Sequence, residues 1–139
     1  MEYIKQLLQG KYPAAPKFSV MISHVKDIAK AHVLSLNNKK AEGRRLIVGS
    51  ETRSILELSK IMAENIPSHS KKLPKKELPN FMVKLISYVD SSAKNLVPDL
   101  GLKMQTDTKY AEEILQMKFI EPEVSVVDAA KSVIRLNLA

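Results

Sequence analysis

The most constraining feature of this sequence is a short apolar run at residues 45–49, Arg-Leu-Ile-Val-Gly, which follows closely after Gly43. Continuous apolar runs of this length are typical of strands that are buried on both faces. Residues 18–25 alternate well enough to predict a second strand, with Val20, Ile22 and His24 on one side. Two strands do not form a stable sheet of their own when one of them must be covered on both faces. The sequence therefore predicts a sheet whose remaining strands come from outside this chain.

Most of the remaining sequence favours helices. Ser54 and Glu57 form a capping box, which predicts a helix that starts there and ends before Pro67. Gly10 predicts the end of an N-terminal helix, and Asp27 is predicted to cap a helix over residues 28–36. Three further helices are predicted over residues 80–89, from Asp90 to Pro98 or Gly101, and from Thr106 or Asp107 to Met117. The last helix is predicted to start near Pro122. Its apolar stripe would consist of Val124, Val127, Ala130 or Lys131, Ile134 and Leu138. The sequence thus predicts a mostly helical α/β fold with two or three short strands.

The predicted helix over residues 80–89 differs from the others because it has almost no polar face. Phe81, Met82, Leu85 and their apolar neighbours surround it, so it should be covered on more than one side. The segment before it, residues 67–79, is linker-like because it combines three prolines with four lysines. We interpret its basic cluster, residues 71–76, as a solvated loop.

Length and composition are those of one folded domain. The chain has 139 residues, of which 45% are hydrophobic and 27% are charged. Its longest nearly uncharged apolar stretch, residues 79–89, is much shorter than the roughly 20 residues of a membrane span, and the first residues do not follow the order of a secretory signal. The absence of cysteine excludes disulfides, thiolate metal sites and a cysteine nucleophile. Because such a composition fits a reducing compartment, we expect a cytoplasmic location.

Positive charge is concentrated in one part of the chain. Residues 1–84 hold 16 Lys and Arg against seven Asp and Glu, whereas residues 85–139 hold six against eight. This asymmetry fits an anionic partner or a neighbouring acidic domain, although a solvated face is the commoner explanation. The basic cluster at residues 71–76 contains no aromatic residue on which a base could stack. A basic helical module that binds nucleic acid or a protein partner is therefore the alternative hypothesis, and steeply salt-dependent affinity would favour it.

The residues alone do not indicate a self-contained active site. His24, His32 and His69 are not spaced as a zinc pair on one helix, and Glu112 and Glu113, being adjacent, diverge around a helix instead of pairing. No Gly-x-Ser-x-Gly motif occurs, and the four glycines are too dispersed for a phosphate-binding loop. We therefore predict no catalytic residue, no cofactor-binding residue and no metal ligand in this chain.

Several segments follow one another in the order of elements in one known family. Residues 22–33 resemble a V-x-V-R-D-V-A-x-A-H element, residues 42–48 a G-R-R-Y-L strand, and residues 73–79 an L-P-x-R-x-L-P link. Residues 52–58, 106–117 and 124–134 resemble the helices of the same series. The family is that of the extended short-chain dehydrogenases/reductases, in the NAD-dependent epimerase/dehydratase superfamily, and the link is similar to its dihydroflavonol-reductase-like branch. The resemblance covers nearly the whole chain.

Two elements of that family are not found in this sequence. The catalytic Tyr-x-x-x-Lys is absent, because Tyr3, Tyr12, Tyr88 and Tyr110 are each followed four residues later by a residue other than lysine. The Gly-rich dinucleotide loop is absent as well. Within the matched part, Lys26 replaces the usual arginine, and Gln and Met at 116–117 replace Gly-Trp.

The resemblance implies that residues 1–139 are a single C-terminal substrate-binding region of a Rossmann-type oxidoreductase, with the dinucleotide-binding domain absent from this chain. Residues 46–48 would be the last strand of the Rossmann sheet. In the full-length parent, NAD(P) would supply a hydride and a tyrosine a proton to a carbonyl substrate, whereas this chain alone is expected to be inactive and to bind no cofactor. The candidate residues of the substrate-pocket wall are Ile4, Leu8, Phe81, Met82 and Leu85, for each of which packing in the core is the alternative.

The partners expected from the resemblance are a small-molecule carbonyl substrate and the missing Rossmann domain. Self-association through an exposed apolar face is a further expectation, and it would fit a third hypothesis, a noncatalytic interaction domain that keeps the old fold. No membrane partner is expected. NAD and NADP both stay open, as does the question of whether Met1 is a natural start.

Overall fold

A computed structural model describes residues 1–88, 97–102 and 105–139 of the chain. Its helices are α1 (Glu2–Leu8), α2 (Val25–Leu36), α3 (Ile55–Asn65), α4 (Asn80–Ile86), α5 (Lys109–Leu115) and α6 (Pro122–Arg135). Its strands are β1 (Ala15–Pro16), β2 (Ser19–Met21), β3 (Thr52–Ser54) and β4 (Glu77–Leu78), and short 3₁₀ turns lie at Pro67–His69 and Val97–Asp99. The mostly helical α/β fold predicted from the sequence is confirmed, with four short strands in the described residues.

The strands form two small sheets. Strands β1 and β4 pair in parallel, with Ala15 opposite Glu77, and β2 and β3 pair antiparallel, with Val20 opposite Arg53. Strand β4 lies in the segment that we predicted to be a linker, so that prediction is wrong at this point. Leu73 is buried in the same segment, and the Ser59 hydroxyl donates to the Pro74 carbonyl at 2.6 Å. These contacts hold the segment against α3.

The main core lies between α1, α3 and α6. Its fully buried side chains include Leu7, Leu8, Ile55, Leu58, Met62, Val126 and Val133. The predicted capping box is confirmed, because the Glu57 N–H donates to the Ser54 hydroxyl at 3.2 Å while the Ser54 N–H donates to the Glu57 carboxylate at 2.7 Å. Gly10 follows α1 with φ of +72°, the left-handed conformation that favours glycine after a helix.

Helix α2 belongs to a second, smaller cluster. Ala31 of α2, with Leu115 and Met117 from the α5 region, forms that cluster, and Leu46 and Val48 pack against it. The helix begins at Val25, three residues earlier than predicted, and its cap is His24 instead of Asp27. Asp27 is buried in the first turn and accepts a hydrogen bond from the Ile120 N–H at 2.8 Å. Asp27 therefore joins α2 to the segment before α6.

The apolar run at residues 45–49 forms no strand in the structure. The N–H groups of residues 45–48 donate no hydrogen bond to any described residue, and Ile47 is 41% exposed. The run is attached at its end, where the Ser23 hydroxyl donates to the Val48 carbonyl at 2.8 Å and the Ser50 N–H donates to the Ile22 carbonyl at 2.8 Å. The prediction of a strand buried on both faces is thus wrong for this chain by itself, because no strand in the described residues pairs with residues 45–48.

Two helix predictions need correction. Helix α6 begins at Pro122 as predicted, but it buries Ser125, Val126, Ala130 and Val133, and Val124 is 49% exposed. The buried face is therefore shifted from the predicted stripe, because α1 and α3 contact α6 on that side. Helix α4 ends at Ile86, three residues before the end predicted for it at Val89. Val89 lies outside the described residues, as do residues 90–96 of the next predicted helix.

Candidate functional site

One surface cavity is an open groove of about 700 Å³ that we call the α6 groove. It is lined by Met1 and Ile4 at α1, by residues 23–26 at the start of α2, and by residues 125, 126, 128, 129, 131, 132 and 135 of α6. Positions 125, 128, 129, 132 and 135 share one face of a helix, which explains why one element supplies so much of the lining. The sequence reasoning missed this groove, although that spacing of polar and cationic residues was a readable signal.

His24 is the most deeply buried titratable side chain in the α6 groove. Its side chain is 6% exposed, and its Nδ1 accepts a hydrogen bond from the Lys26 N–H at 3.1 Å. Because Nδ1 accepts, Nε2 is the ring nitrogen that can donate. Nε2 is 3.4 Å from the Asp128 Oδ2 atom, a long contact to a half-exposed carboxylate. His24 can therefore act as a donor that is fixed in orientation by its own helix.

The second cavity is a more open, acidic cleft of about 820 Å³ beside β2 and β3. Its carboxylates have local partners: Glu57 belongs to the capping box, Glu77 lies 3.3 Å from Lys17, Glu51 pairs with Arg53, and Asp107 accepts from the Lys109 N–H at 3.0 Å. In the ranges that the structure describes, no three His, Asp or Glu side chains come together to hold a metal ion. The cleft is therefore explained by structural contacts.

Glu57, which lines this cleft, has a lowered pKa. Hydrogen bonds from the Ser54 hydroxyl and then from the Ser54 N–H lower the pKa of Glu57, and the positive charges of Arg53 and Lys60 lower it further. Partial burial opposes this shift. The direction fits a carboxylate that stabilises a helix start, so the shift is explained by structure and needs no catalytic role.

The five predicted pocket-wall residues occupy two different places. Ile4 and Leu8 lie in the main core, and Ile4 also lines the α6 groove. Phe81, Met82 and Leu85 lie on α4, where they are 69%, 41% and 68% exposed. Neither the α6 groove nor the acidic cleft brings the two sets together among the described residues. Their role in a pocket stays a prediction.

The glycines do not provide a place for a dinucleotide. All four lie within the described residues, and Gly10, Gly43 and Gly101 occupy separate turns with positive φ. Gly49 is packed so closely that a Cβ atom would lie 2.8 Å from the Ser23 Oγ atom and 2.9 Å from the Met21 Sδ atom. A phosphate-binding loop needs several glycines whose N–H groups face one space, so the residues present do not fit such a cofactor.

An uncovered apolar surface lies on α2. Val25, Ile28, Val33 and Leu36 share one side of the helix and are 73%, 39%, 67% and 80% exposed, and we call this set the α2 face. The opposite side of α2 carries the buried Asp27 and Ala31. A helix normally directs its apolar stripe towards a core. Sequence reasoning predicted the helix but not the side on which its stripe would lie.

No protein-family model matches the chain, and no curated protein matches its sequence. Its fold, in contrast, has clear relatives. The yeast methylglyoxal/isovaleraldehyde reductase Gre2, solved with NADPH, matches 98% of this chain with a TM-score of 0.71 and 21% identity. The chain has the fold of part of a reductase.

Two further structures agree with this assignment. Gre2 from Candida albicans matches 98% of the chain with a TM-score of 0.69 and 22% identity, and a reductase engineered for asymmetric catalysis matches 96% with a TM-score of 0.67 and 25% identity. The chain spans only 35% to 40% of the length of these three reductases. The prediction of a reductase-like α/β fold is therefore confirmed at the level of the fold.

Among residues 1–88, 97–102 and 105–139, no helix has both the length and the apolar character needed to cross a membrane.

Proposed function

We propose that this chain is the C-terminal, substrate-binding part of an NAD(P)-dependent reductase of the extended short-chain class. In this proposal, the chain reduces a carbonyl substrate only together with a dinucleotide-binding half. The cytoplasmic location expected from the cysteine-free sequence belongs to the same proposal.

Two uncovered features carry the proposal, the α2 face and the run at residues 45–48. The α2 face exposes four large apolar side chains, and the run leaves its N–H groups without a hydrogen bond to a described residue. Unpaired backbone and an exposed apolar helix face are what remain when one strand and one helix are taken from a larger sheet. Since the reductases of the same fold are more than twice as long as this chain, we propose that a Rossmann sheet covers both features.

Cofactor and substrate class follow from the relatives. The Gre2 proteins from yeast and from Candida albicans were solved with NADPH, and the yeast protein is described as a methylglyoxal/isovaleraldehyde reductase. We propose NAD(P) as the cofactor of the complete enzyme and a small carbonyl compound as its substrate. NAD(P) would bind to the other half, because the glycines of this chain do not form a phosphate-binding loop.

This chain would contribute substrate binding and exclusion of water. Phe81, Met82 and Leu85 are exposed on α4, so a substrate can cover them without unfolding the core. Ile4 and Leu8 are already packed in the core, and they would support the wall from behind. The chain supplies no tyrosine in a Tyr-x-x-x-Lys motif, so proton donation to the carbonyl is assigned to the other half.

The experiment that tests the proposal starts with the genomic DNA upstream of Met1. We expect an adjacent reading frame that encodes a Gly-rich strand–turn–helix and a Tyr-x-x-x-Lys motif. The two parts expressed together should consume NADPH with methylglyoxal or isovaleraldehyde, whereas the 139-residue chain alone should neither consume nor bind it. Micromolar affinity of the isolated chain for NADPH, or an activity that does not need the other half, would contradict the proposal.

The two rival hypotheses have less support. The solved structures of the same fold are reductases, so the basic helical module for nucleic acid or a protein partner gains nothing from them. The third hypothesis, a noncatalytic domain that dimerises, makes use of the α2 face. It predicts a stable dimer of the isolated chain that persists in the presence of the dinucleotide-binding half.

A further inference from the structure

We propose that the α6 groove binds a small organic anion, a phosphate or a carboxylate carried on an apolar body. The groove shares Ile4 with the proposed pocket wall and Val25 with the α2 face, and its described lining residues all belong to this chain. Anion binding can therefore be tested on the isolated chain, without a dinucleotide-binding half.

The charge of the groove is the first argument. Lys26, Lys131 and Arg135 line it, and none of the three forms an ion pair with a described residue. Asp128 is the one carboxylate among the described lining residues. Cations gathered in a concave site concentrate anions there more strongly than the same cations on a flat surface, because the protein walls focus the field.

The arrangement of cations along α6 is the second argument. Lys131 and Arg135 are four residues apart on the helix, a spacing at which like charges repel and lower helix stability. An anion between them would relieve that repulsion. Both side chains are exposed, so they can turn towards a ligand without any change in the core.

Hydrogen-bond donors are the third argument. Because the His24 Nδ1 accepts from the Lys26 N–H, Nε2 is the ring nitrogen that can donate, and it has only the long 3.4 Å contact to Asp128. The half-buried Ser132 hydroxyl makes no hydrogen bond with a described residue. A phosphate or carboxylate would accept from both groups, and charge-assisted bonds of this kind are among the stronger ones in proteins.

The apolar lining determines what kind of anion fits. Ile4, Val25, Val126 and Ala129 lie in the same groove. A volume of about 700 Å³ is within the usual range for sites of small organic molecules. An anion with an aromatic or short aliphatic body would therefore bind more tightly than inorganic phosphate.

The test measures binding of phenyl phosphate, benzoate and inorganic phosphate to the 139-residue chain by calorimetry and by NMR chemical shifts. Two triple variants are compared, K26Q/K131Q/R135Q in the groove and K71Q/K72Q/K75Q in the basic loop. Both lower the net charge by three, so they are matched in general attraction for anions. We expect the groove variant to weaken phenyl phosphate binding about tenfold, and the loop variant to change it less than about twofold.

A second variant, D128N, should change the affinity for phenyl phosphate in the opposite direction. D128N removes the negative charge that opposes an anion while it keeps the shape of the side chain, so phenyl phosphate should bind about threefold more tightly. This variant also tests the groove if the triple variant is unstable. Preference for phenyl phosphate over benzoate would identify a phosphate site, and the reverse order a carboxylate site.

Three results would overturn the proposal. The first is an equal loss of phenyl phosphate affinity in the two triple variants, and the second is an affinity that D128N does not increase. The third is a set of NMR chemical-shift changes on ligand binding that lies outside residues 23–26 and 125–135. Absence of binding of both phenyl phosphate and benzoate to the unaltered chain would do so as well.

Discussion

Helices α2 and α3 are nearly equal in length and both are amphipathic, but α3 buries its apolar stripe whereas α2 exposes much of its own. In α3, Ile55, Leu58 and Met62 are at most 1% exposed, because α1 and α6 pack against them. In α2, Val33 and Leu36 are 67% and 80% exposed. The same sequence pattern forms a core only where its partner is present. The difference thus separates a region that buries its own apolar stripe from one that leaves its stripe exposed.

The largest expected effect comes from one substitution made in both helices. Leu58→Ala removes a side chain that is 1% exposed and should lower the free energy of unfolding by about 2–5 kcal/mol. Leu36→Ala removes the same atoms from a side chain that is 80% exposed and should cost less than about 0.5 kcal/mol. Urea denaturation of the two variants measures both values. Equal losses would show that α2 is covered in the isolated chain, and the comparison would then fail.

The next largest effect on stability is expected at Gly49, where the run at residues 45–49 packs against Ser23 and Met21. A Cβ atom at Gly49 would lie 2.8 Å from the Ser23 Oγ atom and 2.9 Å from the Met21 Sδ atom. Gly49→Ala should therefore destabilise the chain by about 1–3 kcal/mol through overpacking. The measurement is thermal unfolding. An unchanged midpoint would mean that this run is loose on both sides, contrary to the structure.

The start of α3 is the source of a pH-dependent contribution. Hydrogen bonds from Ser54 lower the pKa of Glu57 in the folded state, so the ionised form contributes stability above the pKa of the unfolded chain. That contribution is lost as the pH falls from the ordinary Glu pKa to the lowered one. Ser54→Ala should cost about 0.5–2 kcal/mol at neutral pH, and it should remove this part of the acid dependence.

The control for this prediction is Glu57→Gln, which keeps the side-chain length and removes the charge. Denaturant unfolding over a range of acidic pH values should show the Glu57 contribution in the unaltered chain and not in either variant. An identical pH profile in all three chains would contradict the assigned role of the capping box.

The smallest effect on stability is expected at α4. Phe81 is 69% exposed, so Phe81→Ala should change the free energy of unfolding by less than about 0.5 kcal/mol. In the complete reductase, the same substitution should raise KM for the carbonyl substrate, because Phe81 is proposed to line the pocket. Leu8→Ala, in contrast, should destabilise the chain by about 2–5 kcal/mol. An unchanged KM in Phe81→Ala would remove this residue from the proposed wall.

Sequence reasoning succeeded where the signal was local. The capping box of α3 and the glycine after α1 depend on residues within one or two turns, and both were predicted correctly. The start of α2 was predicted wrongly because Asp27 has its partner at Ile120, which is 93 positions away. His24 caps the helix instead, a role in which an imidazole is not among the preferred groups.

The features that the sequence did not predict depend on tertiary contacts. Strand β4 has two residues, too few for a periodic pattern, and its pairing with β1 joins distant parts of the chain. The α6 groove is formed by segments near residues 1, 25 and 130, so no single segment contains it. The candidate wall residues were chosen from apolar stripes, and a stripe does not distinguish the buried Leu8 from the exposed Leu85.

The central claim is that a further sheet covers the α2 face and residues 45–48, and amide hydrogen exchange tests it most directly. In the isolated chain, the N–H groups of residues 45–48 should exchange rapidly, because they donate to no described residue, while those of α3 should be protected. In the presence of the dinucleotide-binding half, exchange at residues 45–48 should slow to a rate like that of α3. Protection of residues 45–48 in the isolated monomer, or rapid exchange there in the complete reductase, would contradict the account.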